Sequence, residues 1–272
     1  MTHRRRALRV PPASRASWTE VEGLGLAARH LGAGEGSRPA AVCVHGLGVS
    51  GHYMLPVSVR LAEHFAVGVP DLPGFGRSES PPRALGVGGL ADALIHWCEA
   101  VGMRQPLVLA NSLGCQVAIE ATLRTPGWCC GLVLVAPTID PDARTVTRQL
   151  ARWLLNAPRE PWSEAPIVAR DYLQAGPGRL WRTLKAALED RPEDKLARIE
   201  VPVLVMRGQH DPIVPPAWAR RAARLAPQGE LSTVAGAAHT PHFSHPAEVA
   251  AAVVEFATRH GLRAGGQAAG VV

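Results

Sequence analysis

The sequence predicts an α/β protein whose mostly parallel β-sheet is covered by helices on both faces. Its 272 residues are 47% hydrophobic and 19% charged, which is typical of a globular chain with a large core and excludes a disordered chain. Short runs rich in Val and Leu alternate with segments of helical periodicity. Strands that alternate with helices are typical of a parallel sheet that is buried on both faces.

The predicted elements begin with a hairpin over Trp18–Leu31 that turns near Gly23–Gly25, which would give the sheet an antiparallel start. Helices are predicted over Leu90–Val101 and Ser112–Arg124. Buried strands are predicted from apolar runs bounded by turn residues or charge. These runs are Ala40–Val44, Ala66–Val69, Leu107–Ala110, Leu132–Val135 and Val203–Met206.

One long segment, from Thr138 to Glu200, interrupts this alternation because it contains no convincing strand. It shows helical patterns over Arg144–Asn156, Ile167–Gln174 and Arg179–Leu188, separated by prolines. The sequence therefore predicts a helical cap at 138–200, inserted between the core segments 17–137 and 201–260.

The net charge of +6 comes mostly from the N-terminus, where five arginines precede the first acidic residue. We predict that residues 1–16 form a disordered basic arm and that 261–272 form a flexible tail. No nucleic-acid partner is expected, since no basic patch interleaved with aromatic residues follows. The arginines are Arg4, Arg5, Arg6, Arg9 and Arg15.

The location of the protein is predicted from what the sequence lacks. No apolar run resembles a signal peptide or reaches the length of a membrane span. The five cysteines are odd in number and show no zinc-type pairing with histidine. A cytoplasmic protein with reduced thiols is therefore expected, with its oligomeric state left open.

The strongest local signal is LVLANSLGCQV at Leu107–Val117, an apolar run that meets a polar turn and then a helical pattern. In a strand–turn–helix elbow of this kind, a serine is held in a strained conformation, and the residues two before and two after it must be small. Ala110 and Gly114 satisfy that requirement around Ser112. Ser112 is therefore a candidate nucleophile, with a helix N-cap as the alternative role. Cys115 is expected to be a packed small side chain.

A serine nucleophile needs a base, and the base needs an acid that orients it. Asp211 lies in a polar turn after the predicted strand Val203–Met206 and is the candidate acid. His239 follows a short predicted strand, Glu230–Val234, on a loop rich in Gly and Ala, and is the candidate base. Two alternatives remain for each role: Asp140 and Asp142 for the acid, and His242 and His245, expected at the pocket rim or the start of the last helix, for the base.

A fourth segment, His45-Gly46-Leu47-Gly48, follows the predicted strand Ala40–Val44. Acyl chemistry needs two backbone N–H donors aimed at the oxyanion. The glycines would let this loop fold back with its N–H groups free. Leu47 and Leu113, the residue after the candidate nucleophile, are therefore the candidate donors.

Over roughly residues 18–260 the chain resembles the α/β-hydrolase superfamily. The resemblance implies an α/β-hydrolase fold: an eight-stranded, mostly parallel sheet with a helical cap inserted after the sixth strand. It also implies the chain order nucleophile, acid, base, and no metal or organic cofactor. Relatives with an elbow Asp are excluded, since position 112 is Ser. The matching segments are CVHGLG (43–48), PDLPGFGRSE (70–79), LANSLG (109–114), MRGQHDPIVP (206–215) and GAAHTPHFSHP (236–246).

The function expected from this resemblance is a Ser-His-Asp carboxylesterase acting on a small or medium hydrophobic acyl substrate. One alternative is a carbon–carbon bond hydrolase of a vinylogous diketone, because those enzymes often carry Asn-Ser at the elbow, as this chain does at Asn111-Ser112. They usually place Trp after the catalytic His, where this chain has Thr240. In that case Arg170 or Arg182 would hold a substrate carboxylate. A non-catalytic binding protein is the other alternative.

The predicted cap is expected to set the substrate, since it is rich in apolar residues and proline. Its aromatic side chains could form an apolar roof over the site, although residues at helical spacing also pack a cap onto its core. The candidate substrate-binding residues are Trp153, Trp162, Tyr172 and Trp181.

Overall fold

A computed structural model of the protein describes residues 14–32 and 38–262, which contain one eight-stranded sheet. The strand order is β1-β2-β4-β3-β5-β6-β7-β8. The expected α/β-hydrolase fold is confirmed. The strands are β1 (Arg15–Val21), β2 (Leu24–Leu31), β3 (Ala40–Val44), β4 (Ala66–Pro70), β5 (Leu107–Asn111), β6 (Gly131–Val135), β7 (Val203–Gly208) and β8 (Gly229–Val234).

The sheet begins with the expected antiparallel hairpin. Glu22 and Gly23 form its two-residue turn and both have positive φ, 50° and 76°, as the tight turns that match strand twist require. β1 starts earlier than predicted, because Arg15 pairs with His30 in the ladder. Residues 15 and 16 therefore belong to the sheet and not to the basic arm, and residues 1–13 of that arm lie outside the described residues.

From β4 to β8 all neighbouring strands are parallel, so their carboxyl ends lie at one edge of the sheet. Every residue of β5, β6 and β7 is buried. Helices α2, α3 and α8 pack on one face, and α1 and α10 on the other. The bounds of these helices are α1 (Leu55–Leu61), α2 (Val87–Ala100), α3 (Leu113–Arg124), α8 (Pro216–Leu225) and α10 (Pro246–Arg259).

The chain between β6 and β7 is helical, in the segment where the cap is predicted, and we call residues 138–200 the insertion. It contains two short 3-10 turns, Pro141–Ala143 and Ala157–Arg159. That the insertion is a domain in its own right stays a prediction. Its helices are α4 (Val146–Asn156), α5 (Ala165–Ala175), α6 (Pro177–Glu189) and α7 (Pro192–Leu196).

Helix α4 is amphipathic in the opposite sense to most surface helices. Its buried residues, Gln149 and Asn156, are polar. Leu150 and Leu154, one turn apart, are more than half exposed. The buried face is stabilised by hydrogen bonds, such as that from Gln149 Nε2 to the carbonyl of Ala143 at 2.8 Å.

The last described residues continue the packing of α10. The N–H of Leu262 donates to the carbonyl of Ala257 at 2.8 Å, and the Leu262 side chain packs against the core. Gly261 and Leu262 are therefore part of the ordered body and not of the tail, whose residues 263–272 lie outside the described part. Within the described residues, no helix combines the length and apolar character needed to cross a membrane.

Candidate active site

Ser112 lies at the junction between β5 and α3, in a conformation that few residues other than glycine adopt. Its φ is 54° and its ψ is −121°. The turn is closed by hydrogen bonds from Ser112 N to the carbonyl of Val135 and from Cys115 N to the carbonyl of Ser112, both 3.0 Å. Ser112 remains partly exposed while its neighbours Asn111 and Leu113 are buried. The elbow thus presents the serine at the carboxyl edge of the sheet.

The small residues around the elbow are required by a close approach of backbones. A Cβ atom on Gly114 would lie 2.6 Å from the carbonyl oxygen of His45 and 2.8 Å from that of Val44. Ala110, on the other side of Ser112, is fully buried between β3 and β6. Any larger side chain at position 114 would push α3 away from β3.

The loop after β3 lies directly beside the serine. A Cβ atom on Gly46 would stand 3.2 Å from Cβ of Ser112. His45 holds this loop in place, because its Nδ1 lies 2.9 Å from the carbonyl of Gly46 and its Nε2 accepts the N–H of Leu72 at 2.9 Å. These partners require a neutral ring protonated on Nδ1. Burial, which lowers the pKa of His45, favours the same neutral form.

The two candidate oxyanion donors are the residues that follow Gly46 and Ser112, which contact each other. Leu113 is the first residue of α3, where backbone N–H groups have no partner within the helix. Leu47 follows Gly46 and is partly exposed.

Asp211 and His239 form a buried pair at the same edge of the sheet. Oδ2 of Asp211 lies 2.9 Å from Nδ1 of His239. The other carboxylate oxygen, Oδ1, accepts the N–H groups of Ile213 (2.7 Å) and Val214 (3.0 Å). Because Nδ1 is engaged by the acid, Nε2 is the ring nitrogen that remains available to a hydroxyl group.

The loop that carries the candidate acid, Asp211, is held by Arg207, a buried residue near the end of β7. Its guanidinium donates to the main-chain carbonyls of Val214 (3.0 Å) and Asp211 (3.1 Å). The arginine therefore stabilises the loop through its backbone and leaves the Asp211 carboxylate to His239.

The electrostatic surroundings of His239 favour its charged form. Burial on its own would lower the pKa of His239, but the charge and hydrogen bond of Asp211, with a smaller contribution from the charge of Glu160, raise it above its usual value. Such a pair keeps the imidazole oriented and stabilises the positive charge that it acquires as a base.

Asn111, which the sequence linked to carbon–carbon bond hydrolases, is fully buried and engaged inside the protein. Its Nδ2 lies 3.2 Å from the carbonyl of Val135 and 3.3 Å from that of His239. Its Oδ1 accepts the hydroxyl of Tyr53 at 2.7 Å. The Asn-Ser pair therefore has a structural explanation and does not favour that alternative.

Two residues of the insertion that sequence reasoning missed contact the loop of His239. Glu160 accepts the N–H groups of His239 (2.7 Å) and Thr240 (3.1 Å) on Oε1. The hydroxyl of Thr240 lies 2.5 Å from Oε2 of Glu160 and 2.7 Å from Oε2 of Glu164. Thr240 follows His239 directly, and its hydroxyl binds the insertion.

The aromatic residues predicted to cover the site differ in what they contact and in how exposed they are. Tyr172 contacts the loop after β3, since a Cβ on Gly48 would lie 2.8 Å from its ring, and Trp153 stacks on Tyr172 with centroids 6.2 Å apart. Trp181 is 51% exposed. Trp162 is 88% exposed, so its side chain points into solvent and does not form a wall of an enclosed pocket, contrary to expectation.

The alternative acids are engaged elsewhere or exposed. Asp140 accepts a hydrogen bond from Arg152 at 2.7 Å, and Asp142 is exposed. Of the two arginines considered as carboxylate binders, Arg170 pairs with Asp171 at 2.6 Å and Arg182 is exposed.

The alternative bases are also placed away from this role. His242 is fully buried and not at a rim, in the short helix α9 (Pro241–Ser244), with its ring 4.4 Å from that of Tyr53. Burial lowers the pKa of His242 to about 3. His245 contacts Ser244 at 2.9 Å just before α10. Cys115 is packed as expected, and burial raises the pKa of its thiol.

Comparison with known proteins agrees with this architecture. A pimeloyl-(acyl-carrier protein) methyl ester esterase from Xanthomonas oryzae pv. oryzae is 31% identical, with 81% of this chain and 96% of that protein covered. A membrane phospholipase A superposes with a TM-score of 0.79 at 20% identity, covering 92% of this chain and 87% of that one. A thermophilic esterase from Thermogutta terrifontis gives 0.75 at 23% identity, covering 90% and 99%.

At these identities the two solved structures show a shared fold. Residues 41–252 match the sequence profile of the alpha/beta hydrolase family. The matched segment includes the strands from β3 onwards, the insertion, and the three residues Ser112, Asp211 and His239. The chain is thus a hydrolase and belongs to the alpha/beta hydrolase family.

Proposed function

We propose that this hydrolase is a serine esterase that cleaves small or medium hydrophobic esters through an acyl-enzyme. One observation carries the proposal: Asp211 lies 2.9 Å from Nδ1 of His239, at the sheet edge where Ser112 is held with a φ of 54°. An oriented imidazole at the same sheet edge as a partly exposed elbow serine is the arrangement that acyl transfer needs.

In this mechanism Ser112 attacks the ester carbonyl carbon while Nε2 of His239 takes the hydroxyl proton. The N–H groups of Leu47 and Leu113 donate to the oxyanion of the tetrahedral intermediate. The C–O bond then breaks and the alcohol leaves with the proton from His239. Water, deprotonated by His239, attacks the acyl-enzyme and releases the acid, which restores Ser112.

The substrate class is inferred from the insertion and from the relative. Tyr172 and Leu180 both reach the loop that carries Leu47, as a Cβ on Gly48 would lie 2.8 Å and 2.5 Å from them. These side chains offer apolar surface next to the candidate oxyanion donors, which favours a hydrophobic acyl group. The 31% identical protein from Xanthomonas oryzae is named as a methyl ester esterase, which supports ester cleavage.

The test measures hydrolysis of p-nitrophenyl esters of increasing acyl length by the wild-type protein and Ser112→Ala. We expect hydrolysis by the wild type, an optimum at short or medium length, and its loss in Ser112→Ala. Ser163→Ala, which changes an exposed serine of the insertion, is the matched control and should retain full activity.

A fluorophosphonate probe separates the nucleophile from the substrate. Labelling of Ser112, located by mass spectrometry, is expected in the wild type. If Ser112 is labelled but no ester of any length is cleaved, the ester proposal is wrong, and vinylogous diketones become the substrates to test. If Ser112 is not labelled, the nucleophile assignment is wrong.

A further inference from the structure

The carboxylate of Glu160 attaches the main chain of the His239 loop to the insertion. Oε1 of Glu160 accepts the main-chain N–H groups of His239 and Thr240 at 2.7 and 3.1 Å. Nδ2 of Asn156 donates to the same oxygen at 2.9 Å and fixes it from the insertion side. Hydrogen bonds to an ionised acceptor are about twice as strong as neutral ones.

The backbone of His239 is therefore held on both sides by side chains. Glu160 holds its N–H group, and Asn111 holds its carbonyl oxygen at 3.3 Å. The Asp211 contact orients only the imidazole ring. Without Glu160, the backbone position from which that ring extends would lose one of its two side-chain restraints.

The contacts of Thr240 impose a requirement on the neighbouring carboxyl group. Its Oγ1 lies within hydrogen-bond distance of both Glu160 (2.5 Å) and Glu164 (2.7 Å). A hydroxyl group has one proton to donate, so it can serve only one ionised carboxylate. Since Glu160 accepts backbone N–H groups, the second contact is a hydrogen bond only if Glu164 carries a proton and donates it to Thr240.

We propose that Glu160 is a positioning residue for His239, and that a protonated Glu164 completes this latch through Thr240. The latch consists of Glu160, Glu164 and Thr240, and its role in catalysis rests on the proposed function of His239 as the base. The insertion would then supply not only apolar surface but also the restraint that fixes the base.

The ionisable groups around Glu164 agree with a proton at neutral pH. The charges of Glu160 and His239 shift the pKa of Glu164, and the charge of an ionised Glu164 in turn raises the pKa of the phenols of Tyr53 and Tyr172. Burial and the nearby charge of Glu160 raise the pKa of Glu164 to about 8. Above that pH a second negative charge would face Glu160 across Thr240 and weaken the latch.

The experiment compares Glu160→Ala, Glu160→Gln and Glu164→Gln with Glu189→Ala, an exposed glutamate of the same insertion. Ester hydrolysis is measured as kcat and KM across pH, and amide hydrogen exchange is measured for the peptide around His239 and Thr240. Thermal unfolding verifies that each variant is folded.

We expect Glu160→Ala to lower kcat by about 10- to 100-fold with little change in KM, because orientation and not binding is lost. Glu160→Gln keeps an oxygen acceptor for both N–H groups and should restore most of kcat. Both substitutions remove a charge that raises the pKa of His239, so both should move the acidic limb of kcat/KM to lower pH. In the wild type kcat should fall as pH rises through about 8, and Glu164→Gln should abolish that fall.

Equal kcat in Glu160→Ala and Glu189→Ala would overturn the proposal, as would equal losses in Glu160→Ala and Glu160→Gln. An alkaline fall that persists in Glu164→Gln would overturn the part assigned to Glu164. Hydrogen exchange makes the test independent of the ester proposal. The His239 amide should exchange faster in Glu160→Ala but not in Glu160→Gln, even if no ester is cleaved, and unchanged exchange would show that the latch is absent.

Discussion

Asn111 Nδ2 lies 3.3 Å from the main-chain carbonyl of His239, a hydrogen bond between residues 128 positions apart. The contact joins the elbow of Ser112 to the loop of the candidate base, so the two parts of the site are fixed relative to each other. A buried side-chain amide stabilises a protein only when its own polar groups are hydrogen-bonded. Here Asn111 Nδ2 also contacts the carbonyl of Val135, and its Oδ1 accepts the hydroxyl of Tyr53.

Replacement of Asn111 by Ala should therefore lower both kcat and stability. The carbonyl of His239 and the hydroxyl of Tyr53 would each lose a buried partner, at a cost of about 1–3 kcal/mol in the free energy of unfolding. We expect kcat to fall by roughly 10-fold because the base loop is less restrained. Urea unfolding and ester kinetics measure the two effects. Tyr53→Phe removes only the contact to Oδ1 and should reduce stability without the loss of kcat; equal kcat losses in the two variants would contradict this role.

The pH dependence of the reaction should reflect the Asp211–His239 pair. His239 acts as a base only when neutral, and its pKa is raised above 6.5 because Asp211 outweighs the effect of burial. Activity should consequently be lost as pH falls, with a kcat/KM midpoint above 6.5. Asp211→Asn should move that midpoint down and reduce kcat by roughly 10³- to 10⁴-fold. A midpoint that is unaffected by Asp211→Asn would mean that another group controls the acidic limb.

Two glycine substitutions should have opposite effects on stability. Gly114→Ala places a Cβ 2.6 Å from the backbone oxygen of His45, and because neither backbone can move freely, we expect a loss of about 1–3 kcal/mol. A Cβ added at Gly178, in α6, would meet no atom within 4 Å, so Gly178→Ala should gain roughly 0.5–1 kcal/mol from helix propensity. Chemical denaturation of both variants tests the pair, and a destabilisation of similar size in each would refute the steric explanation.

The strained backbone of Ser112 predicts a difference between two inactive variants. Ser112→Ala and Ser112→Gly both remove the hydroxyl, but only glycine adopts a φ of 54° with a ψ of −121° without cost. Ser112→Gly should be more stable than Ser112→Ala by roughly 1 kcal/mol. The comparison of their thermal midpoints is the measurement. Equal stabilities would show that the elbow is not strained.

Much of this molecule follows from local sequence patterns. The strands and the elbow are marked by short apolar runs bounded by turn residues or charge, and the parallel arrangement brings residues 112, 211 and 239 to one edge of the sheet. The hairpin and the small residue at Gly114 were predictable for the same reason, since backbone conformation restricts which residues fit.

The contacts of the insertion were not predictable in this way. Glu160 reaches Thr240 across 80 residues, and a glutamate in a loop has no periodic signal that identifies its partner. The sequence also offered Trp162 as part of an apolar roof over the site, because the insertion is rich in apolar and aromatic residues, but its side chain is 88% exposed. In helix α4 apolar side chains are exposed as well. Gln149 and Arg152 make hydrogen bonds within the protein, while the leucines face solvent.

The attachment of Glu160 to the His239 loop limits how the protein can be re-engineered. An insertion taken from another hydrolase would bring new apolar side chains for a new substrate, but it would leave two backbone N–H groups of the base loop without their acceptor. Chimeras should therefore transfer the insertion together with the segment after β8, and libraries that randomise the insertion should exclude Asn156, Glu160 and Glu164. If His239 is the base, as proposed, changes to the insertion made for a new substrate will also change the restraint on the base.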